Sequence, residues 1–434
     1  LWHDDDARAA TRVRAEMGTM LGALLKHGLK YGRITLIDHK GKQASYGAEG
    51  PEVTLRMKDA RVGREVAFNP WLKLGEAYMD GRLIIERGTL YDLLDIGLAN
   101  TSQLSGVWTQ KLSDVKNRML RWWHQTNPIG RSRENVAHHY DLSRKLFSLF
   151  LDESMQYSCA YWPKLDMSLS DAQQAKMRHI ASKLLLEPGQ LVLDIGCGWG
   201  ALGIYLAKTA GVKVIGVTLS KEQLEIARQR AKEAGLEGEV DFRLQDYREV
   251  PERFDRIVSV GMFEHVGIKQ YPVFFRQVEK LLKPAGAMLL HAIGRRDGPG
   301  YTNPWLRKYI FPGGYSPALS EVLPWIEKTG LWVTDIEILR LHYAETLKAW
   351  RANFEKHRAE IQQLYDERFC RMWEFYLIGS ELSFRYDYNM VWQVQMARNI
   401  KTVPMTRDYM FDWERKEAAR AFPQVPWQRG QAAE

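Results

Sequence analysis

With 434 residues the chain exceeds the roughly 250–300 at which one hydrophobic core stops growing, so two domains are expected. Its 45% apolar and 26% charged residues exclude a disordered or fibrous chain, and no apolar run approaches the ~18 residues that span a bilayer. A net charge of +8 suits a polyanionic partner, and three distant cysteines (Cys159, Cys197, Cys370) exclude a disulfide framework or structural zinc site.

Residues 7–29 put Val13, Met17, Met20, Leu21, Leu24 and Leu25 on one face at helical spacing, which predicts a core-facing helix. The runs RITLIDH, ASYG, PEVTLRM, REVAFN and GRLIIERG follow, bounded by Gly, Pro and Asn, and read as a small sheet. LYDLLDIGLAN reads as a helix. Together these predict a smaller N-terminal α+β domain over residues 1–124 that faces lipid or membrane. Between Thr101 and Asn135 stand six basic residues (Lys111, Lys116, Arg118, Arg121, Arg131, Arg133) against Asp114 and Glu134, with Trp108, Trp122 and Trp123 among them. Such a stretch suits a lipid headgroup boundary, and equally a solvated linker helix whose tryptophans pack on the next domain. QTNPIGRSREN, residues 125–135, carries Pro, Gly and polar side chains and marks the linker. The chain opens at Leu1 without a secretory h-region, so residues missing upstream and a cytoplasmic location are expected.

Beyond residue 135 the texture changes. LVLDIG, VKVIGVTL, EVDFRL, FDRIVSVG and AMLLHAI are apolar runs of strand length, separated by helical stretches such as KEQLEIARQRAKEAG and YPVFFRQVEKLLKP. Strands apolar on both faces, alternating with helices, predict a parallel α/β sheet in a catalytic domain over 136–410. From Tyr301 to about Asn399 the chain turns helical and aromatic-rich. This segment is expected to cap the site and to have no place in the central sheet; 411–434 reads as a tail.

Asp194, Gly196, Gly198 and Gly200 of VLDIGCGWG follow the first buried strand and open a helix. Glycines there allow tight turning and close ligand approach, and the helix N-terminus offers free N–H groups. The spacing is GxGxG rather than GxGxxG, and no acid ends the second strand, where a dinucleotide site holds its ribose. Instead Thr218, Leu219, Ser220 and Gln223 join that strand to its helix, and Gln245 and Asp246 follow the third strand, placed to bond an adenine amine. The pattern fits S-adenosylmethionine in a Rossmann-like class I methyltransferase domain better than a dinucleotide.

DIGCGWG, GVTLS, FDRIVSVGMFEHVG, LLHAIG, IFPGGY and LHYAETLKAW, with AHHYDLSRKLFSLFLDESMQYSCAYW upstream, resemble the cyclopropane-fatty-acid synthases and the related mycolic acid cyclopropane synthases over roughly 135–400. The N-terminal domain resembles that of the phospholipid-modifying branch. The resemblance implies methylene transfer from S-adenosylmethionine to the cis double bond of an unsaturated phospholipid acyl chain. A carbocation would form and lose a proton to bound bicarbonate. The alternatives are a methyl-branched or methylene product, or a non-catalytic lipid-binding protein. The motifs carry over, as bicarbonate ligands, Cys159, Glu264, His291, Ile293 and Tyr343, and, toward the cofactor, Tyr157, Ser158 and Tyr140 beside the loop residues above. The acyl tail is expected among Phe147, Phe150, Tyr271, Phe274, Phe311 and Tyr315. A homodimer docked peripherally on anionic headgroups at the inner membrane face is also implied. A nucleic-acid methyltransferase is disfavoured, because VGMFEHVG stands where an (Asp/Asn)-Pro-Pro-aromatic motif would be.

Each candidate also has a duller reading. Cys159 is more often a buried small residue than a nucleophile, and His291 could be a satisfied core histidine. Glu264 and His265, adjacent on an extended segment after the strand SVGMF, would point to opposite faces and chelate a metal poorly. Ser380 stands in FYLIGSELSFR where many relatives have cysteine; the mechanism needs no thiol there.

Overall fold

The computed structural model describes residues 20–101 and 143–419. The expected linker at 125–135, the basic tryptophan-bearing stretch and Tyr140 lie outside the described residues, as does the first part of the predicted N-terminal helix. By internal contacts the chain divides into two units, each discontinuous in sequence: Leu1–Gln125 with Gly300–Gly314 and Trp350–Asn389, and Thr126–Pro299 with Tyr315–Ala349 and Met390–Glu434.

The first unit holds a four-stranded sheet built from β1 (Arg33–Ile37), β2 (Gln43–Gly47), β3 (Glu52–Met57) and β4 (Leu83–Arg87), in the order β2-β1-β3-β4. Its inward residues, among them Ile34, Leu36, Val53 and Leu55, pack with Leu90, Ile96, Ile378 and Leu382 into one core. The predicted strand REVAFN is instead part of a helix, Arg61–Phe68. Val62, Gly63, Val66 and Ala67 are its buried residues, a 3.6-residue period that overrides the β-branched composition.

The second unit is built on a seven-stranded sheet. Five strands are parallel: β5 (Leu191–Ile195), β6 (Lys213–Thr218), β7 (Val240–Leu244), β8 (Phe254–Val260) and β9 (Leu282–Arg295). Val192, Leu193, Ile195, Ile257, Val258, Leu289 and Leu290 are at most 1% exposed, as expected for parallel strands covered on both faces. Truncating one such residue to alanine typically costs about 2–5 kcal/mol. The predicted α/β architecture with a Rossmann-like sheet is therefore present.

One expectation fails. The segment 301–399 is not a purely helical cap, because Trp332–Leu339 (β10) and Asn389–Ala397 (β11) complete the sheet, in the order β10-β11-β9-β8-β5-β6-β7. β10 pairs antiparallel with β11. The helical content expected between them is real: α1 (His342–Lys356), Arg358–Leu364 and α2 (Glu367–Tyr386) are helices. The supposed tail also begins inside a helix, Asp408–Ala419.

Candidate active site

Strand order reverses at β5, whose neighbours β6 and β8 lie on opposite sides; such a switch point opens a crevice beyond the carboxyl ends of the strands. A cavity of about 180 Å³ occupies that position. Its wall comes from the ends of four parallel strands: Asp194–Trp199 after β5, Val217–Leu219 after β6, Gln245–Arg248 after β7 and Val260–Met262 after β8. Tyr157, Ser158 and Gln223 also line it, so most of the residues predicted to hold a cofactor converge here.

The three loop glycines turn out to do different things. All have positive φ, at 82°, 53° and 84° for Gly196, Gly198 and Gly200. A Cβ on Gly200 would meet Phe242 at 2.7 Å and Ala227 at 2.9 Å, and one on Gly196 would meet Met262 at 2.8 Å. At Gly198 a Cβ would meet nothing within 4 Å, so only this glycine keeps empty a space that a ligand could use. Gly200 does not line the cavity, and neither does Ser220. Ser220 is a helix N-cap whose hydroxyl accepts the Gln223 N–H at 3.3 Å. Thr218 Oγ1 donates to Gln223 Oε1 at 2.9 Å, fixing that amide at the wall. The Asp246 carboxylate is gripped by Arg248, Nε to Oδ1 at 2.8 Å and Nη2 to Oδ2 at 2.6 Å, which leaves acceptor lone pairs but no unshared charge for an adenine.

Two buried ionisable groups stand in the wall, the expected Asp194 and a lysine that the sequence does not advertise. Lys176, on helix α3 (Leu169–Lys183), is 3% exposed, lines the cavity and donates to Ser158 Oγ at 2.8 Å. Burial pushes its ammonium down to about 8, against the pull of Asp152, Cys159 and Asp194. Burial likewise pushes Asp194 up to about 7, with Lys176 opposing, and Asp194 Oδ2 is buried without a hydrogen-bond partner. Met155, also in the wall, is held at φ 56° where Asp152 accepts the N–H groups of Ser154 and Gln156 at 2.9 Å.

The five candidates for the reacting end do not line this cavity; three of them stand next to a residue that does. Cys159 follows Ser158, Glu264 precedes His265, and His291 pairs with Val260 across the β8–β9 ladder. Glu264 Oε1 accepts the Ile293 N–H at 2.6 Å, so that backbone group is engaged by Glu264 rather than open to an anion. Tyr343 lies on α1 one turn before Thr346, whose hydroxyl accepts the Ala160 N–H at 3.0 Å and the Trp162 indole N–H at 3.1 Å. These bonds hold the Cys159 strap to the start of α1. Tyr343 itself is 7% exposed.

Burial pushes the Glu264 carboxyl up to about 7, and its Oε2 has no hydrogen-bond partner although buried. His291 is pushed down to about 3 by burial first and by the charges of Lys176 and Lys183 second. It is therefore a neutral imidazole. The Cys159 thiol is pushed up by burial and stays protonated, unsuited to nucleophilic work. Glu264 and His265 sit in a 3-10 turn, Phe263–His265, not an extended segment. Their side chains diverge because successive residues of such a turn are ~120° apart.

The aromatic residues expected along the acyl tail are mostly interior. Phe147, Phe150, Tyr271, Phe274 and Tyr315 are each at most 2% exposed, and none lines the cavity. Phe147 and Phe150 pack edge-on against Tyr157, at 5.3 and 6.0 Å between centroids, and so brace a cavity residue. Phe311 belongs to the first unit, as does Ser380.

Comparison with known proteins agrees with this geometry. The family model described as mycolic acid cyclopropane synthetase matches residues 128–394, and a domain of unknown function matches 26–105. The cyclopropane-fatty-acyl-phospholipid synthase of Escherichia coli is 40% identical over 357 residues, 80% of this chain and 88% of that protein. The tuberculostearic acid methyltransferase UfaA1 of Mycobacterium tuberculosis is 35% identical over 80% of this chain and 83% of its own length. Among solved structures, mycolic acid cyclopropane synthase CmaA1 complexed with SAH and CTAB superposes with a TM-score of 0.58 at 35% identity, covering 63% of this chain and 99% of that one. Sheet order, glycine loop and flanking polar group thus coincide with a family match over more than half the chain. The chain belongs to the mycolic acid cyclopropane synthetase family of S-adenosylmethionine-dependent methyltransferases.

Proposed function

We propose that the protein transfers a methylene group from S-adenosylmethionine to the cis double bond of an unsaturated phospholipid acyl chain, with bicarbonate held beside Glu264 and His291 as the base. The observation that carries this reading is the position of a buried, thiolate-free polar group directly alongside a cavity at the sheet's switch point.

The residues fit both small molecules. Gly198 leaves an open cradle, and Asp194 Oδ2 is a buried acceptor awaiting a donor, such as the ammonium of an amino acid moiety. Bound there, S-adenosylmethionine supplies an electrophilic sulfonium methyl. An alkene is a weak, neutral nucleophile, so the surroundings must favour positive charge on the chain and must not capture it. Cys159, held as a thiol, does not. Glu264 Oε2 and the neutral His291 are the candidates to hold a bicarbonate oxygen, with Tyr343 beside the Cys159 strap. A carboxyl near pH 7 and a neutral imidazole can each donate a hydrogen bond to that anion.

The likeness to a tuberculostearic acid methyltransferase favours a second reading, in which the product is methyl-branched or carries a methylene. Both readings share the first bond-forming step. Docking is proposed to be peripheral, because among the described residues no helix is long and apolar enough to cross a membrane. The basic, tryptophan-bearing residues 101–135 are the proposed contact with anionic headgroups, and a homodimer would present two of them.

Incubating the protein with the cofactor and vesicles of cis-unsaturated phosphatidylglycerol, then weighing the released fatty acids, tests the proposal. One added CH2 per acyl chain supports it. Methylation of the headgroup, or none, overturns it.

A further inference from the structure

His291 is the buried end of a hydrogen-bonded chain that the reaction as described does not use. Its Nδ1 lies 3.1 Å from Nε2 of Gln393, on β11. The other side of that amide, Oε1, accepts from Lys183 Nζ at 2.6 Å. Lys183 also donates to Glu337 Oε2, which in turn lies 2.6 Å from Nε2 of His179. His179 Nδ1 meets Glu414 Oε1 at 2.5 Å. Gln393, His291 and Lys183 are each at most 2% exposed.

The polarity of this chain follows from what each group can do. An ammonium only donates, so the amide atom facing Lys183 must be the carbonyl oxygen, and the NH2 must face His291. The amide orientation is thereby fixed by chemistry rather than by appearance. An NH2 facing Nδ1 requires Nδ1 to accept, and a neutral imidazole that accepts at Nδ1 carries its proton on Nε2. Lys183 is itself held in place by Glu337, and His179, with a carboxylate at each ring nitrogen, binds Glu337 and Glu414 as an imidazolium. Charges alternate along the chain, so the polar run is satisfied throughout.

We infer that Gln393 is a positioning residue that fixes His291 as its Nε2–H tautomer, so that His291 offers the reacting end a hydrogen-bond donor and not a base. The burial and neighbouring cations that keep His291 neutral are consistent with this role. The inference rests on the proposed reading of His291 as a neighbour of the bound base. A donor there steadies an anion's oxygen while the anion itself takes the proton. Such outer partners of a functional histidine commonly set its tautomer and orientation.

The test has two readouts. Histidine-15N-labelled protein, without cofactor, reports the tautomer directly; the His291 signals are those absent from His291→Gln. The wild type shows an unprotonated Nδ1 and a protonated Nε2. Gln393→Glu replaces the NH2 with an acceptor while still pairing Lys183, so the proton moves to Nδ1. In that variant S-adenosylhomocysteine affinity is retained, whereas kcat falls by about 10²-fold or more, the usual cost of losing one preorganised donor. In the His291→Gln background, Gln393→Glu adds no further loss, because no tautomer remains to be set. A protonated Nδ1 in the wild type overturns the inference, and so does a tautomer switch in Gln393→Glu that leaves kcat unchanged. If the wild type forms no product, or His291→Gln is fully active, the proposed reaction fails instead; the tautomer measurement still decides the role of Gln393.

Discussion

Glu264 divides its carboxyl between two tasks: Oε1 accepts the Ile293 N–H at 2.6 Å, while Oε2 is buried without a hydrogen-bond partner. The first oxygen fixes the side chain to β9; the second is left for a substrate or an anion. Glu264→Gln keeps an oxygen for Ile293 but replaces Oε2 by an NH2 that cannot change protonation state. The variant is expected to fold, to bind S-adenosylhomocysteine as the wild type does, and to lose about 10²–10⁴-fold in kcat. Paired calorimetry and product assays check this; equal loss of binding and turnover would make Glu264 merely structural.

The same burial makes stability depend on pH. Glu264 rises from 4.5 to about 7 and Asp194 from 3.8 to about 7 in the folded protein. A raised carboxyl favours folding fully only below its unfolded value, and that contribution is lost as pH rises through the folded one. Without cofactor, each of these two carboxyls is therefore expected to subtract on the order of 3 kcal/mol between about pH 4 and 7. His265 and His291, pushed down by burial from 6.5 to about 4 and about 3, add stability over nearly the same window, so the carboxyl contribution shows in the difference between wild type and variant. In urea unfolding at several pH values, Glu264→Gln and Asp194→Asn should each gain stability relative to the wild type as pH rises from about 4 to 7. An unchanged slope in both variants would contradict the assignment.

Alanine at the loop glycines should separate packing from binding. At Gly200, a methyl would press on Phe242 at 2.7 Å with φ at 84°, so Gly200→Ala is expected to cost a few kcal/mol of stability. Gly198→Ala bears only the left-handed backbone penalty, about 1–2 kcal/mol, yet projects its methyl into open space at the cavity wall. It should weaken S-adenosylhomocysteine binding more than it lowers Tm. Thermal melts beside calorimetric titrations distinguish the two, and the reverse ranking would refute the distinction.

Ser380 stands in FYLIGSELSFR, where the family resemblance of the sequence implies a cysteine. It is half-buried in α2, its carbonyl accepts the Ser383 hydroxyl at 2.8 Å, and it does not line the cavity. Ser380→Ala is expected to retain kcat/KM within about twofold, since a surface-type change away from a cap or network rarely exceeds ~0.5 kcal/mol. Abolished turnover would show a hydroxyl or thiol role there.

How much could be read from the sequence depended on whether burial matched polarity. LVLDIG and VKVIGVTL are apolar and buried, so the sheet and its glycine loop were legible. β11 was not, because NMVWQVQMA places Gln393 and Gln395, each 1% exposed, inside a covered strand. Those glutamines are tolerated by their partners: Gln393 bonds Lys183 and His291, and Gln395 bonds the Lys183 carbonyl and the Tyr409 hydroxyl. Helix α3 hid its meaning the same way. Gln173, Lys176, His179 and Lys183 recur at helical spacing and resemble a solvated face, yet all four are buried. Lys176 therefore carried no signal as a cavity residue. Among the candidate residues, motif matching proposed Glu264, His291 and Tyr343, and gave no sign that the Ile293 N–H is already engaged by Glu264.

The most direct test of the account follows the transferred group itself. With S-adenosylmethionine carrying a trideuterated methyl, ring formation must lose one deuteron and leave CD2 on the acyl chain. The account predicts a CD2-containing product that takes up no hydrogen on mild catalytic reduction. A CD3-bearing chain, or a CD2 product that still takes up hydrogen, would contradict it.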